Sequence, residues 1–151
     1  MSSTPERKLH KIAKVLEHER DRRVATLLTA AQLEEQAARQ YQQAIEREAC
    51  AREARSGALP GWRAADWEQD AAWRMYLSKL REDAAMRHEQ ARATVQTARE
   101  SVRESHSRVR RIEALLDRMA ESRRLEEARL ERKAEDEWVA ANTAASRDTS
   151  D

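Results

Sequence analysis

Side chains able to do chemistry are few and widely spaced in this sequence. The four histidines are His10, His18, His88 and His106, and Cys50 is the single cysteine among 151 residues. Two histidines at i and i+4 flanking a glutamate would set two zinc ligands and a base on one helical face. His18-Glu19 begins such a pattern, but position 22 is Arg, so the second ligand is missing. No histidine has Glu three residues before it, which removes the di-iron bundle motif. Cys50 has no neighbouring base to activate its thiol and no second cysteine to pair with. No glycine-rich phosphate loop ending in Lys-Ser or Lys-Thr occurs. The histidines read as surface residues and Cys50 as an incidental small one. No catalytic residue, metal site or cofactor is expected, and the chain reads as a non-enzyme.

Charge and aromatics point to binding instead. Lys and Arg number 29 against 28 Asp and Glu, interspersed to a net +1. A nucleic-acid protein would show a basic face or arm, and none stands out. No apolar run approaches the ~20 residues of a membrane span, and Met1-Ser2-Ser3-Thr4-Pro5 lacks a signal-peptide pattern. A cytoplasmic protein without membrane insertion is the expectation. Acid-first pairs at i,i+4 recur, among them Glu19/Arg23, Glu35/Arg39, Glu48/Arg52 and Asp70/Arg74, and read as a solvated helical surface. Four of the six aromatics, Trp62, Trp67, Trp73 and Tyr76, sit within one short stretch. They either cap the fold there or face a partner, since Trp and Tyr dominate binding hot spots. Trp73 is the one expected to face outward.

The elements that must carry these groups are helices. Charged residues make up 38% and only 2 Gly and 2 Pro are present, which leaves almost no turns for a sheet or many-helix bundle. Thr4 can cap, Pro5 suits a first helical position, and Ser3 to Glu6 has capping-box spacing. The next breaker is Ser56-Gly57-Ala58-Leu59-Pro60-Gly61. The spacing therefore predicts an all-α hairpin over 1–141: helix 5–55, bend 56–61 and helix 62–141, followed by a disordered polar tail over 142–151. In the second helix Val95, Val102, Val109 and Leu116 repeat every seven residues. Leu77, Ala84, Ala91, Ala98, Ser105, Ile112 and Met119 keep the same period, an antiparallel coiled-coil seam. The first helix shows two stripes, Leu9/Ile12/Leu16 and Val24/Leu27/Ala31/Ala38/Tyr41/Ile45, with a register slip expected over 17–23.

The two arms differ in reach. At ~1.5 Å per residue the first spans roughly 75 Å and the second roughly 120 Å. With the bend near 59, Leu9 falls opposite residues around 109, and a C-terminal helical overhang from about 117 to 141 has no intramolecular partner. Its Leu125, Leu130, Ala134 and Trp138 await another surface.

Certain segments resemble a known family. Lys14-Val15-Leu16-Glu17-His18-Glu19-Arg20, then Tyr41-Gln42-Gln43, is similar to the first helix of the FliJ family, coiled-coil proteins of the flagellar export apparatus. Trp67, Trp73, Leu77 and Leu80 resemble its pattern after the bend. Glu113-x-Leu115-x-x-Arg118 and Arg132-Lys133-Ala134-Glu135-Asp136-Glu137-Trp138 look like its C-terminal helix. The YscO-type proteins of virulence secretion share the layout. The resemblance implies a central stalk or escort component of a type III export apparatus, peripheral at the inner membrane. It would link the hexameric export ATPase to the export-gate membrane protein and escort substrate chaperones. Carried over by position, the gate contact is Tyr41, Ile45, Trp73, Leu77, Leu80 and Ala84. The paired chain ends, with Leu9, Ile12, Leu125, Leu130 and Trp138, would enter the ATPase ring. Ala84 stands where the family can have histidine and Ile45 replaces an aromatic, so both the flagellar and the virulence system stay open. The rival reading is a structural coiled-coil scaffold that homodimerises.

Overall fold

The computed structural model describes residues 4–148, and two long helices packed together account for nearly all of them. Helix α1 covers Pro5–Ala58, a 3-10 turn covers Leu59–Gly61, and helix α2 covers Ala64–Asp148. No strand occurs among the described residues. The chain divides into two compact units, Glu19–His106 and a second composed of Met1–His18 with Ser107–Asp151.

Local chemistry sets the helix ends. The Thr4 carbonyl accepts from the Lys8 amide at 3.3 Å, closing the first turn of α1 with Pro5 at a position that needs no donor. Ser3, expected in a capping box, lies outside the described residues. At the other end, α1 persists three residues further than expected, through Ser56, Gly57 and Ala58. The Ser56 hydroxyl bonds back to the Arg52 carbonyl at 3.1 Å. A helical glycine costs only about 1 kcal/mol, whereas a proline ring excludes the helical bond outright. Pro60 is thus the stop and Gly57 is not. Helix α2 opens on Arg63, whose carbonyl accepts from the Asp66 and Trp67 amides. The Asp66 carboxylate returns to the Arg63 amide at 2.8 Å, one half of a capping box.

Helix α2 also outlasts the expected boundary at 141, running helical to Asp148. Ala140, Ala141, Ala144 and Ala145 supply high helix propensity there. The Thr143 hydroxyl folds onto the Val139 carbonyl at 2.6 Å rather than breaking the turn. Residues 149–151 of the expected tail lie outside the described residues.

Burial follows the seven-residue repeat. On α2, Leu77, Ala84, Val95, Ala98, Ser105 and Val109 are the buried positions of the seam. On α1, the less exposed positions recur at 3 and 4 residue steps without interruption from Glu6 and Leu9 through Ala13, Arg20, Arg23 and Ala30 to Arg55. The register slip expected over 17–23 is therefore absent, and Ala30 rather than Ala31 turns inward. Arginine makes this continuity possible: its methylene stem lies along the seam while the guanidinium reaches polar partners. Arg23 donates to the Ser101 carbonyl at 3.1 Å and pairs with Glu19 and, at 3.9 Å, Glu104.

Within Glu19–His106 the cross-helix partners run in opposite senses. Arg23 meets Glu104, Tyr41 stacks on His88, Glu48 pairs with Arg81 at 3.0 Å, and Arg55 with Asp70 at 3.3 Å. Between them Ala30, Val95 and Ala98 form an apolar cluster with Leu27 against it. Charged pairs at seam positions add little net stability, yet each out-of-register alternative would strand them. In the other unit Glu6 pairs with Arg123. The start of α1 therefore lies beside residue 123, and the uncovered part of α2 begins later than the 117 expected from a bend near 59.

Candidate functional site

The first surface grows from the turn between the helices. Pro60 ends α1 and Asp66 caps α2, which sets the aromatics of the next turns in fixed directions. Trp62 packs edge-on against Trp67, with centroids 5.0 Å apart at 76°. The Arg55 guanidinium lies 5.7 Å over the Trp67 ring. Asp70, its side chain 11% exposed, sits beside both Arg55 and Arg74, the latter at 2.8 Å. Trp62 is thus half-buried at this end of the fold, while Trp67, though under Arg55, is still 42% exposed. Trp73 and Tyr76 stack on each other at 5.4 Å and 28° instead, and both face solvent.

Residues 62, 66, 69, 73 and 76 fall at helical spacing on one face. They line an open cleft of about 700 Å³ floored by Trp62, Trp73 and Tyr76 and edged by Asp66, Gln69 and Asp70. Rigid rings with a carboxylate rim suit an apolar or cationic side chain from a partner. The cleft is open to solvent along its length and holds no arrangement of nucleophile and base.

The gate-contact residues inferred from the resemblance fall into two environments. Trp73 is 51% exposed, whereas Leu77 at 3% and Ala84 at 6% are sealed between the helices. Tyr41, Ile45 and Leu80 are half-buried along the seam's edges, and Tyr41 spends one ring face on His88 at 6.0 Å. Trp73 is joined outside by Tyr76, which the carry-over from the resemblance did not include; its spacing three residues after Trp73 was the available signal.

A second exposed surface occupies the last turns of α2. From 124 to 145 every residue is exposed except half-buried Ala128. Trp138 is 68% exposed and Leu130 57%, with Leu125 and Val139 similarly open. Ala134, Glu135, Trp138 and Val139 outline a shallow depression. On α1, Leu9 is half-buried and Ile12 exposed. All five residues expected at an ATPase ring belong to the same compact unit.

The charge pattern also resolves. Glu19/Arg23, Glu35/Arg39 and Asp70/Arg74 form their within-helix pairs. Glu48 reaches across to Arg81 instead. No three His, Cys, Asp or Glu side chains gather at metal-binding distance among the described residues. His10 Nδ1 donates locally to the Glu6 carbonyl at 2.9 Å, and Cys50 is a free, exposed thiol. No described helix is long and apolar enough to cross a membrane. Comparison with protein-family models, curated proteins and solved structures returns no match.

Proposed function

We propose that the chain is a connector of the FliJ/YscO kind in a type III protein export apparatus. In this reading the two helices form an antiparallel coiled-coil hairpin, cytoplasmic and peripheral at the inner membrane. The uncovered end of α2, with Leu125, Leu130 and Trp138, docks into the hexameric export ATPase together with Leu9 and Ile12 of α1. The aromatic face near the turn, led by Trp73, docks on the cytoplasmic domain of the export gate, and the same surfaces take substrate chaperones in escort. The chain performs no catalysis of its own and uses no cofactor.

The observation that carries the reading is the placing of exposed aromatic side chains in two separate apolar surfaces of the helical pair. One holds Trp73 and Tyr76, the other Leu130 and Trp138, and they belong to different compact units. Exposed tryptophans carry a desolvation gain that a partner can collect, which is why they concentrate at hot spots. The family resemblance gives those partners their identity.

Mechanistically, one asymmetric helix inside a six-fold ring contacts each ring subunit differently. A ligand shifts a conformational equilibrium only by its differential affinity for the two states. Such contacts would favour a different nucleotide state at each subunit and couple hydrolysis to export. The test is direct: added to a type III export ATPase, the chain should bind and raise ATP turnover. Trp138→Ala with Leu130→Ala should lose both effects with helix content unchanged. A chain that neither binds nor stimulates such an ATPase ends the assignment.

A further inference from the structure

We infer that the uncovered end of α2 is a self-association surface, built to pair antiparallel with the same segment of a second copy around Leu130. The inference does not rest on the export reading. It starts from the seam of α2, whose positions 109, 112, 116 and 119 are at least half-buried at alternating steps. Continued with the same steps, the seam next presents Arg123, Glu126, Leu130, Lys133 and Glu137. Arg123 pairs with Glu6 at the start of α1, whereas the seam positions from 126 to 137 are exposed, Leu130 at 57%.

Their order is self-complementary. In an antiparallel pair with its dyad at Leu130, the residue seven before meets the residue seven after in the second copy. Arg123 then faces Glu137, Glu127 faces Lys133, and Leu130 meets Leu130. Each charged layer occurs twice, because a two-fold interface is isologous. The remaining charges obey the same symmetry: Arg124 falls opposite Asp136, Arg129 opposite Glu131, and Glu126 opposite uncharged Ala134. No like charges oppose each other between 121 and 139 in this arrangement. A parallel, in-register pair would instead stack Arg123, Glu126, Lys133 and Glu137 each on itself. The charges thus favour the antiparallel arrangement about Leu130 over the parallel, in-register one.

The single chain already shows one such layer. Arg123 receives a carboxylate from Glu6 of α1, and a guanidinium has donors left for a second. Lys133 and Glu137 pair within the helix at 3.8 Å with both side chains about seven-tenths exposed, so exchange for partners in a second copy costs little. The free stretch between the two Arg123 layers is roughly 20 Å long. So short a contact gives weak association, active at micromolar concentration and above. Leu130 cannot serve a second copy and any other partner at once.

Sedimentation equilibrium of the full chain under reducing conditions, from about 1 µM to about 500 µM, reads the outcome directly. Wild type should show a monomer–dimer equilibrium. Glu127→Lys and Lys133→Glu should each weaken it about tenfold or more, since each substitution sets like charges in two layers. Mixed together, these two variants should form a heterodimer at wild-type strength, and both changes on one chain should restore the homodimer. Leu130→Lys should abolish association while circular dichroism stays unchanged. A wild-type chain that stays monomeric throughout overturns the inference. So do single variants that dimerise like wild type, or a mixture without recovery.

Discussion

Truncating Leu77 and truncating Trp73 should have opposite kinds of consequence, although the two residues lie one helical turn apart. Leu77 is 3% exposed in the seam and Trp73 is 51% exposed outside it. Burying a leucine side chain is worth about 1.5–3 kcal/mol, and truncation adds a term for the space left behind. A two-helix seam can close over part of that space, so Leu77→Ala should cost about 2–3 kcal/mol, the low end of the range for leucine truncations. Trp73→Ala removes a side chain that is already half in water and stacked only on Tyr76. Its cost should stay below about 1 kcal/mol. Urea unfolding followed by far-ultraviolet circular dichroism measures both from the shift in midpoint at constant slope. Binding to the export-gate domain is then assayed below the unfolding transition. Trp73→Ala should lose binding while stability holds, whereas Leu77→Ala should lose stability and retain binding in its folded fraction. The reasoning is refuted if Leu77→Ala costs under about 0.5 kcal/mol, or if Trp73→Ala destabilises as strongly as Leu77→Ala.

Three further outcomes follow from individual positions. Gly57 is helical with ordinary backbone angles and open space where a Cβ would stand, so Gly57→Ala should raise stability by about 0.5–1 kcal/mol in the same urea assay. Ser105 is 2% exposed at a seam position and its hydroxyl has no hydrogen-bond partner. Ser105→Ala should therefore stabilise by about 1 kcal/mol, read as a higher thermal midpoint. Asp70→Asn removes the charge between Arg55 and Arg74, both of which keep access to water, and should cost about 1–2 kcal/mol. Tryptophan fluorescence near the turn should report that loss.

The sequence discloses α2 far better than α1, and the reason is chemical. Val95, Ala98 and Val109 keep apolar groups on a seven-residue repeat, so their burial can be read from spacing alone. On α1 the equivalent positions include Arg20, Arg23, Glu34, Glu48 and Arg55. Charged residues on an inward stripe erase the hydrophobic period and imitate a register slip, because their cross-helix partners are remote in sequence. The turn was misplaced for a related reason: Ser56 and Gly57 are common in bends, but neither forbids a helix as Pro60 does. Among the aromatics, clustering is legible, while the contact of Arg55 with the Trp67 ring depends on α1 lying alongside. Leu77 and Ala84 show the limit of transferring a contact face by position, since a seam residue and a surface residue share the same stripe.

The proposed function requires that one chain hold two partners at once. Purified chain, a type III export ATPase hexamer and the cytoplasmic domain of an export gate, mixed and analysed by size-exclusion chromatography with light scattering, test this directly. The expected result is a single species with the mass of all three. It should lose the ATPase with Trp138→Ala and the gate domain with Trp73→Ala. Separate binary complexes that exclude one another, or no complex with either partner, would contradict the account.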